Sequence, residues 1–145
     1  MAPSRLDDLY RDKVILDHCR NPRNSTMISD PDFHGDVVNP FCGDEIHIQL
    51  NFDGSGKVKE VGFQGEGCAV NIASGSLMSD ALIGLHKYEI SNLKNQFVSV
   101  MTSEVMLGES IPESDLTALV SVKEFPVRIK CVLLPWSAID DLLKV

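Results

Sequence analysis

The segment Ile46–Phe52, IHIQLNF, constrains the fold more than any other, because apolar and polar side chains alternate along it. Successive side chains of a strand point to opposite faces, so this pattern predicts a strand with one buried and one wet face. The next four residues, Asp53–Gly56, read DGSG, which is typical of a hairpin turn. Residues 57 to 64 alternate in part and provide the return strand. The sequence therefore predicts an antiparallel hairpin.

The segments around this hairpin carry helical spacing of apolar and small residues. An amphipathic helix is predicted over residues 5 to 19, and Asn21-Pro22 ends it because the residue before a proline avoids the helical region. A bend bracketed by Gly65 and Gly67 precedes a second helix, which follows Cys68 and ends near Gly84. The remaining predictions are helices over roughly residues 90–101, 113–121 and around Cys131, an extended piece at Val37-Val38, and loops around Pro31 and Gly35 and at Gly108–Pro112.

An antiparallel sheet followed by helices is an α+β arrangement, here a small sheet of about three strands packed against several helices. The chain has 145 residues, of which 43% are hydrophobic, so it can bury a core of its own. It contains neither an internal repeat nor a linker. We therefore predict a single domain over residues 1–145.

The charge of the chain bears on its partners. The net charge is −8, from 21 acidic and 13 basic residues, and an acidic chain lacks the basic footprint that phosphate-backbone binding requires. The opening MAPSRLDDLY has no apolar core of a signal peptide, and no apolar run approaches membrane-spanning length. We expect a cytoplasmic protein that binds neither nucleic acid nor membrane.

The chain contains four cysteines, Cys19, Cys42, Cys68 and Cys131. In a secreted mini-domain this number would suggest two disulfides, but in a cytosolic chain with a sufficient core, metal binding or thiol chemistry is the better interpretation. Cys42 lies in a Pro- and Gly-containing turn, Cys68 in a glycine bend before a helix, and Cys131 near the start of the last helix. If strand and helix ends gather at one edge of the sheet, these last three sulfurs can converge.

Asp44 follows Cys42 across Gly43, so both side chains could turn toward one ion. Three thiolates and a carboxylate suit tetrahedral zinc, and soft thiolates also suit iron–sulfur chemistry. One weaker carboxylate ligand would leave such a site exchangeable. A helix N-terminus after Cys68 would stabilise its thiolate, and Arg128 and Lys130 could offset the negative charge.

Other interpretations of the same residues remain open on spacing alone. A buried cysteine is usually a small core residue, which fits Cys19 and would be favoured for Cys131 taken by itself. Asp44 could cap a turn. The histidines show no partner spacing and are not predicted as ligands; they are His18, His34, His47, which is expected to be solvated, and His86.

Three segments that contain cysteine resemble the three cysteine blocks of the IscU/NifU-like iron–sulfur assembly proteins: NPFCGDEI, GFQGEGCAVNIASGSLM and FPVRIKCVLLPW. LYRDKVILDHCRNPRN is similar to the opening helix of that family, and the resemblance spans roughly residues 5 to 140. Within the family the chain resembles the zinc-binding SufU branch. Lys130 stands where scaffold-type members carry a histidine, EFPVR replaces their LPPVK motif, and the interval from Gly84 to Phe125 is consistent with the SufU insertion.

The resemblance implies an IscU/NifU N-terminal-like fold, a zinc ion held by Cys42, Asp44, Cys68 and Cys131, and Cys42 as the catalytic sulfur acceptor. It implies a zinc-dependent sulfurtransferase that takes persulfide sulfur from a PLP-dependent cysteine desulfurase of the SufS type and passes it to a downstream iron–sulfur scaffold. The alternative is a scaffold that binds iron and assembles a 2Fe–2S cluster on the same residues. A third possibility is an inert zinc-stapled module that only docks partners.

Two residues depart from the family pattern. Cys19 stands where an aromatic residue is expected and is interpreted as packing. Pro135 lies four residues after Cys131, where its ring would clash with the Cys131 carbonyl and remove a hydrogen bond. We therefore expect the last helix to kink or to begin later.

Overall fold

The computed structural model describes residues 13–39, 43–102 and 115–143. Its elements, in chain order, are α1 (Lys13–Arg20), β1 (Phe33–Asn39), β2 (Asp44–Phe52), β3 (Val58–Glu66), α2 (Ala69–Leu82), α3 (Lys87–Thr102), a 3₁₀ helix (Asp115–Glu124), α4 (Pro126–Ser137) and a short 3₁₀ helix (Asp141–Leu143). The predicted α+β class is confirmed.

The sheet is antiparallel with the strand order β1-β2-β3. Along β2 the side chains of Ile46, Ile48 and Leu50 are fully buried, and those between them are half-exposed. This confirms the wet-faced strand that the alternation predicts, although β2 begins two residues earlier than the alternating segment, at Asp44. The predicted return strand is β3, and its pairing with β2 is antiparallel.

Strand β1 is longer than the predicted extended piece, and the prediction of a loop at Gly35 is wrong. Gly35 pairs with Ile48 inside the sheet. A Cβ on Gly35 would lie 1.8 Å from the Ala138 carbonyl oxygen, so the glycine allows the end of α4 to approach the strand. The polar composition of β1 reflects its exposed face rather than a loop.

Helix α2 is buried along most of its length and packs against α1, α4 and β3. Its small residues permit this. A Cβ on Gly75 would lie 2.3 Å from the Phe63 ring, and Ser74 Oγ donates to the Val132 carbonyl oxygen of α4 at 2.6 Å. The helix ends at Leu82 before Gly84, as predicted. The preceding bend differs from the prediction, because Gly65 belongs to β3 and the chain turns at Gly67.

Helix α1 ends at Arg20, as Asn21-Pro22 predicts, and the predicted start of that helix lies outside the described residues. The helix predicted over 90–101 is α3. The segment predicted over 113–121 is described only from residue 115, where it is a 3₁₀ helix, and the predicted Gly108–Pro112 loop lies outside the described residues.

The bounds of helix α4 differ from two expectations, the position of Cys131 near the helix start and a late start of the helix. The helix begins at Pro126, so Cys131 lies in its middle rather than near its start, and the expectation of a late start is wrong. Pro126 suits the first helical turn, where its missing N–H would have no partner in any case. Pro135 comes close to the helix end at Ser137, so it removes one hydrogen bond without displacing the turns around Cys131.

The largest core side chain is Trp136 of α4, which stacks on Phe97 of α3 with ring centroids 4.5 Å apart. Its Nε1 donates to Ser74 Oγ at 3.2 Å, so the indole is satisfied as well as buried. In the three described ranges, no helix combines the length and hydropathy needed to cross a membrane.

Candidate metal centre

Three of the four predicted ligands come together in the structure. Asp44 begins β2, Cys68 directly precedes α2, and Cys131 lies in α4. One ligand atom from each residue lies within 4.8 Å of the others. Cys42, the fourth predicted ligand, lies outside the described residues, so its place at this cluster stays a prediction.

The antiparallel sheet explains why these residues meet. The start of β2 and the end of β3 lie at the same edge, since Glu45 pairs with Glu66. The chain then turns at Gly67 and brings Cys68 back beside Asp44. Helix α4 packs against α2, and this packing places Cys131 beside Asp44 and Cys68.

The Asp44 carboxylate is 2% exposed and only half satisfied. Its Oδ1 accepts a hydrogen bond from the Cys68 backbone N–H at 3.3 Å. Its Oδ2 is buried and has no hydrogen-bond partner among the residues described. A buried oxygen without a partner is costly, and a cation would satisfy it. A turn-capping aspartate would accept a hydrogen bond from a residue close to it in sequence. The hydrogen bond described for Asp44 comes instead from Cys68, 24 residues away.

Gly67 is the residue that makes room for this carboxylate. Its φ is +139°, a backbone conformation that side chains other than glycine rarely adopt. A Cβ at this position would lie 2.1 Å from Asp44 Oδ1. The local sequence predicts only a bend here, because the steric role of Gly67 depends on the position of Asp44 in the folded chain.

The two described sulfurs of the cluster differ in exposure. Cys68 is half-buried, and its side chain makes no capping hydrogen bond to α2. Cys131 is 8% exposed, and burial raises the pKa of its thiol to about 11, with the neighbouring Cys68 and Asp44 acting in the same direction. A hydrogen bond with Arg128 lowers that pKa in part.

Of the two cations predicted to offset the charge of the cluster, Arg128 therefore reaches Cys131, whereas the Lys130 side chain is exposed. Cys19 is partly buried and packs against the hydrophobic core, as its interpretation as a packing residue predicts. Burial raises the pKa of the Cys19 thiol, and the charge of Cys68 adds to that effect.

The residues present fit a thiophilic divalent cation. Two sulfurs and a carboxylate come from three different elements, and the carboxylate keeps one buried oxygen without a donor. Thiolate and carboxylate ligands together match the preferences of zinc and of iron–sulfur centres.

The histidines take other roles in the described structure. His18 is buried, and its Nδ1 lies 2.7 Å from Ser76 Oγ. His47 is half-exposed, and its Nδ1 lies 2.6 Å from Asp36 Oδ1, which raises the pKa of His47. His34 also contacts Asp36, and the His86 ring stacks on Tyr88.

The fold and the cluster together define a small α+β protein with a candidate metal centre of thiol and carboxylate groups at one edge of an antiparallel sheet. The family model described as "NifU-like N terminal domain" matches residues 9–132, and the chain belongs to this family. The resemblance of the three cysteine blocks is thereby confirmed.

Relatives and solved structures agree with this membership. The chain is 38% identical over 137 residues to the zinc-dependent sulfurtransferase SufU of Bacillus subtilis, covering 94% of this chain and 90% of the relative. It is 34% identical to the iron–sulfur cluster assembly scaffold protein IscU of Streptococcus pyogenes, covering 99% and 88%. A crystal structure of a SUF-system scaffold protein from Fervidobacterium islandicum superimposes with a TM-score of 0.82 at 28% identity, covering 97% of this chain and 100% of that one.

These relatives differ in the role they are named for, and two of the three names include iron–sulfur cluster assembly. One is named as a sulfurtransferase and the other two as scaffolds. The comparisons therefore establish the assembly family, and the choice between the two roles depends on the site.

Proposed function

We propose that this protein is a zinc-dependent sulfur acceptor in iron–sulfur cluster assembly. It takes persulfide sulfur from a PLP-dependent cysteine desulfurase of the SufS type onto Cys42 and passes the sulfur to a downstream scaffold. The observation that carries the proposal is the buried carboxylate of Asp44, which lies beside Cys68 and Cys131 and has one oxygen without a hydrogen-bond partner among the described residues.

Asp44, Cys68, Cys131 and Cys42 are the residues that would hold the zinc. The first three are anchored, since Asp44 and Cys131 lie in regular elements and Cys68 is hydrogen-bonded to Asp44. Cys42 belongs to the segment between Asn39 and Asp44, which pair with each other in the sheet. The described residues on either side of Cys42 therefore lie at the same end of the sheet as the cluster, which supports Cys42 as the fourth ligand.

Zinc, when bound, keeps its cysteine ligands as thiolates at neutral pH. The thiolate of Cys42 then attacks the outer sulfur of the desulfurase persulfide. A new S–S bond forms at Cys42, the S–S bond of the donor breaks, and the donor cysteine leaves as a thiolate. Burial of Asp44 and Cys131 keeps them from meeting a bulky partner, so they stay in place during this exchange.

The relationship to the Bacillus subtilis sulfurtransferase supports this role, as does Lys130 at the position where scaffold-type members carry a histidine. The second candidate is a scaffold that binds iron and builds a 2Fe–2S cluster on the same residues. The Streptococcus pyogenes relative, matched over 99% of this chain, favours this second candidate.

Native mass spectrometry under anaerobic conditions separates the two candidates. The zinc-loaded protein is mixed with a cysteine desulfurase, cysteine and ferrous iron, and the intact mass is followed. We expect the zinc to stay bound while one or more sulfur atoms are added. A protein that exchanges zinc for two irons and two sulfides would contradict the proposal and identify a scaffold.

Matched variants assign the added sulfur to a residue. Cys42→Ser should abolish the sulfur addition, whereas Cys19→Ser should leave it unchanged, because Cys19 packs against the core. Sulfur addition that survives Cys42→Ser would contradict the assignment of the acceptor.

A further inference from the structure

Asn71 lies in the first turn of α2 and is fully buried, although asparagine is mostly exposed in folded proteins. Its Nδ2 donates to the Glu66 carbonyl oxygen at 3.3 Å, across the bend between β3 and α2. Its Oδ1 is buried and has no hydrogen-bond partner within the described part of the chain. A buried carboxamide that is only half satisfied costs stability, so it calls for an explanation beyond packing.

The position of Asn71 supplies one. A Cβ on Gly67 would lie 2.1 Å from Asp44 Oδ1 and 3.0 Å from Asn71 Nδ2. The carboxylate of the metal centre and the carboxamide of Asn71 therefore crowd the same side of Gly67. Asn71 also follows Cys68, the residue directly before α2, by three residues, so the two lie within one helical turn of each other along the chain.

We propose that Asn71 is a positioning residue of the metal centre, and this inference rests on the metal site of the proposed function. The bond from Asn71 to Glu66 ties the end of β3 to the start of α2 and fixes the bend at Gly67. With the bend fixed, the Cys68 N–H points at Asp44 Oδ1 and occupies that oxygen. The other oxygen of Asp44, Oδ2, has no partner among the described residues and is left available to a metal.

If Asn71 had a purely structural role, its effect on stability would not depend on the metal. A bond across the bend that only stabilised the fold would contribute equally with and without metal. A residue that orients metal ligands instead changes metal release and ligand geometry, and losing such support typically weakens metal binding by about tenfold or more.

The test uses Asn71→Leu, which has a similar volume and neither donates nor accepts. The variant loses the bond to the Glu66 carbonyl oxygen but also removes a buried acceptor without a partner among the described residues, and because these effects oppose each other, urea unfolding of the metal-free protein should change little. Zinc transfer to a chromophoric chelator should become about tenfold faster. In the Co²⁺-substituted protein, the visible d–d bands should shift. Asn71→Ser, a smaller change, should act in the same direction if the leucine variant folds poorly.

Ser79→Ala is the matched control. Ser79 is fully buried in the same helix and donates to the Ser76 carbonyl oxygen at 2.6 Å. Its loss should destabilise the metal-free protein while zinc release and the Co²⁺ spectrum stay as in the wild type.

The outcomes are distinguishable. Unchanged zinc release and an unchanged Co²⁺ spectrum in both Asn71 variants would overturn the positioning role and leave the proposed function intact. A wild-type protein that binds neither zinc nor Co²⁺ would overturn the proposed function, and the positioning role with it.

Discussion

The backbone N–H of Cys68 donates to Asp44 Oδ1 at 3.3 Å across a sequence separation of 24 residues. This bond joins two ends of the hairpin at the edge of the sheet where the cluster forms. The two oxygens of the carboxylate therefore differ: Oδ1 accepts this hydrogen bond, and Oδ2 has no partner among the described residues. The backbone of the bend thus contributes to the candidate metal centre as well as its sulfurs.

Gly67→Ala should disrupt the centre. The new Cβ would collide with Asp44 Oδ1, and the positive φ would strain the backbone, at a cost of about 1–3 kcal/mol in the free energy of unfolding. We expect lower stability in urea and substoichiometric zinc after purification. Gly54→Ala is the control, because a Cβ there meets nothing within 4 Å. Full zinc content in the Gly67 variant would show that Asp44 does not need this space.

The stability of the metal-free protein should fall at high pH. Its folded state raises the pKa of Cys131 from 9.0 to about 11, mainly through burial. Since the thiol form is favoured in the folded state, its contribution is complete below pH 9 and is lost as the pH rises toward 11. Urea midpoints measured over this range should decline more steeply for the wild type than for Cys131→Ser. Parallel curves would assign the decline to other groups.

Arg128→Ala should weaken metal binding and make it more dependent on pH. The guanidinium lowers the pKa of Cys131, so its removal leaves the thiol harder to deprotonate when the metal binds. Zinc affinity measured by chelator competition should drop, most strongly at the acidic end of the range. Lys130→Ala, which changes an exposed neighbour, should have a smaller effect. Equal effects of the two variants would indicate a general charge effect rather than a contact with Cys131.

The fold could be predicted where a local pattern reports burial directly. The alternation of Ile46, Ile48 and Leu50 predicts β2 because one face of that strand is buried and the other is wet. Strand β1 could not be predicted in this way, because its exposed positions are polar. Gly35 is needed there because Ala138, which is remote in sequence, packs closely against the strand.

The sequence predicts the three residues that the structure brings together, Asp44, Cys68 and Cys131, but not how they are arranged, and Cys42 stays a prediction. Cys68 and Asp44 stand out because they occur near glycines, where a side chain is presented rather than packed. The central position of Cys131 in α4 and the steric role of Gly67 depend on how α4 and the bend meet in space. The half-satisfied state of Asp44 and Asn71 depends equally on tertiary contacts, and no local pattern reports it.

Single-turnover transfer of labelled sulfur tests the central claim most directly. A cysteine desulfurase charged with labelled persulfide is mixed with zinc-loaded and with chelator-treated protein, and the label is mapped to individual cysteines. We predict that the zinc-loaded protein carries the label on Cys42 and that the zinc-free protein accepts much less. Label on another cysteine, or equal transfer to both forms, would contradict a zinc-dependent sulfur acceptor.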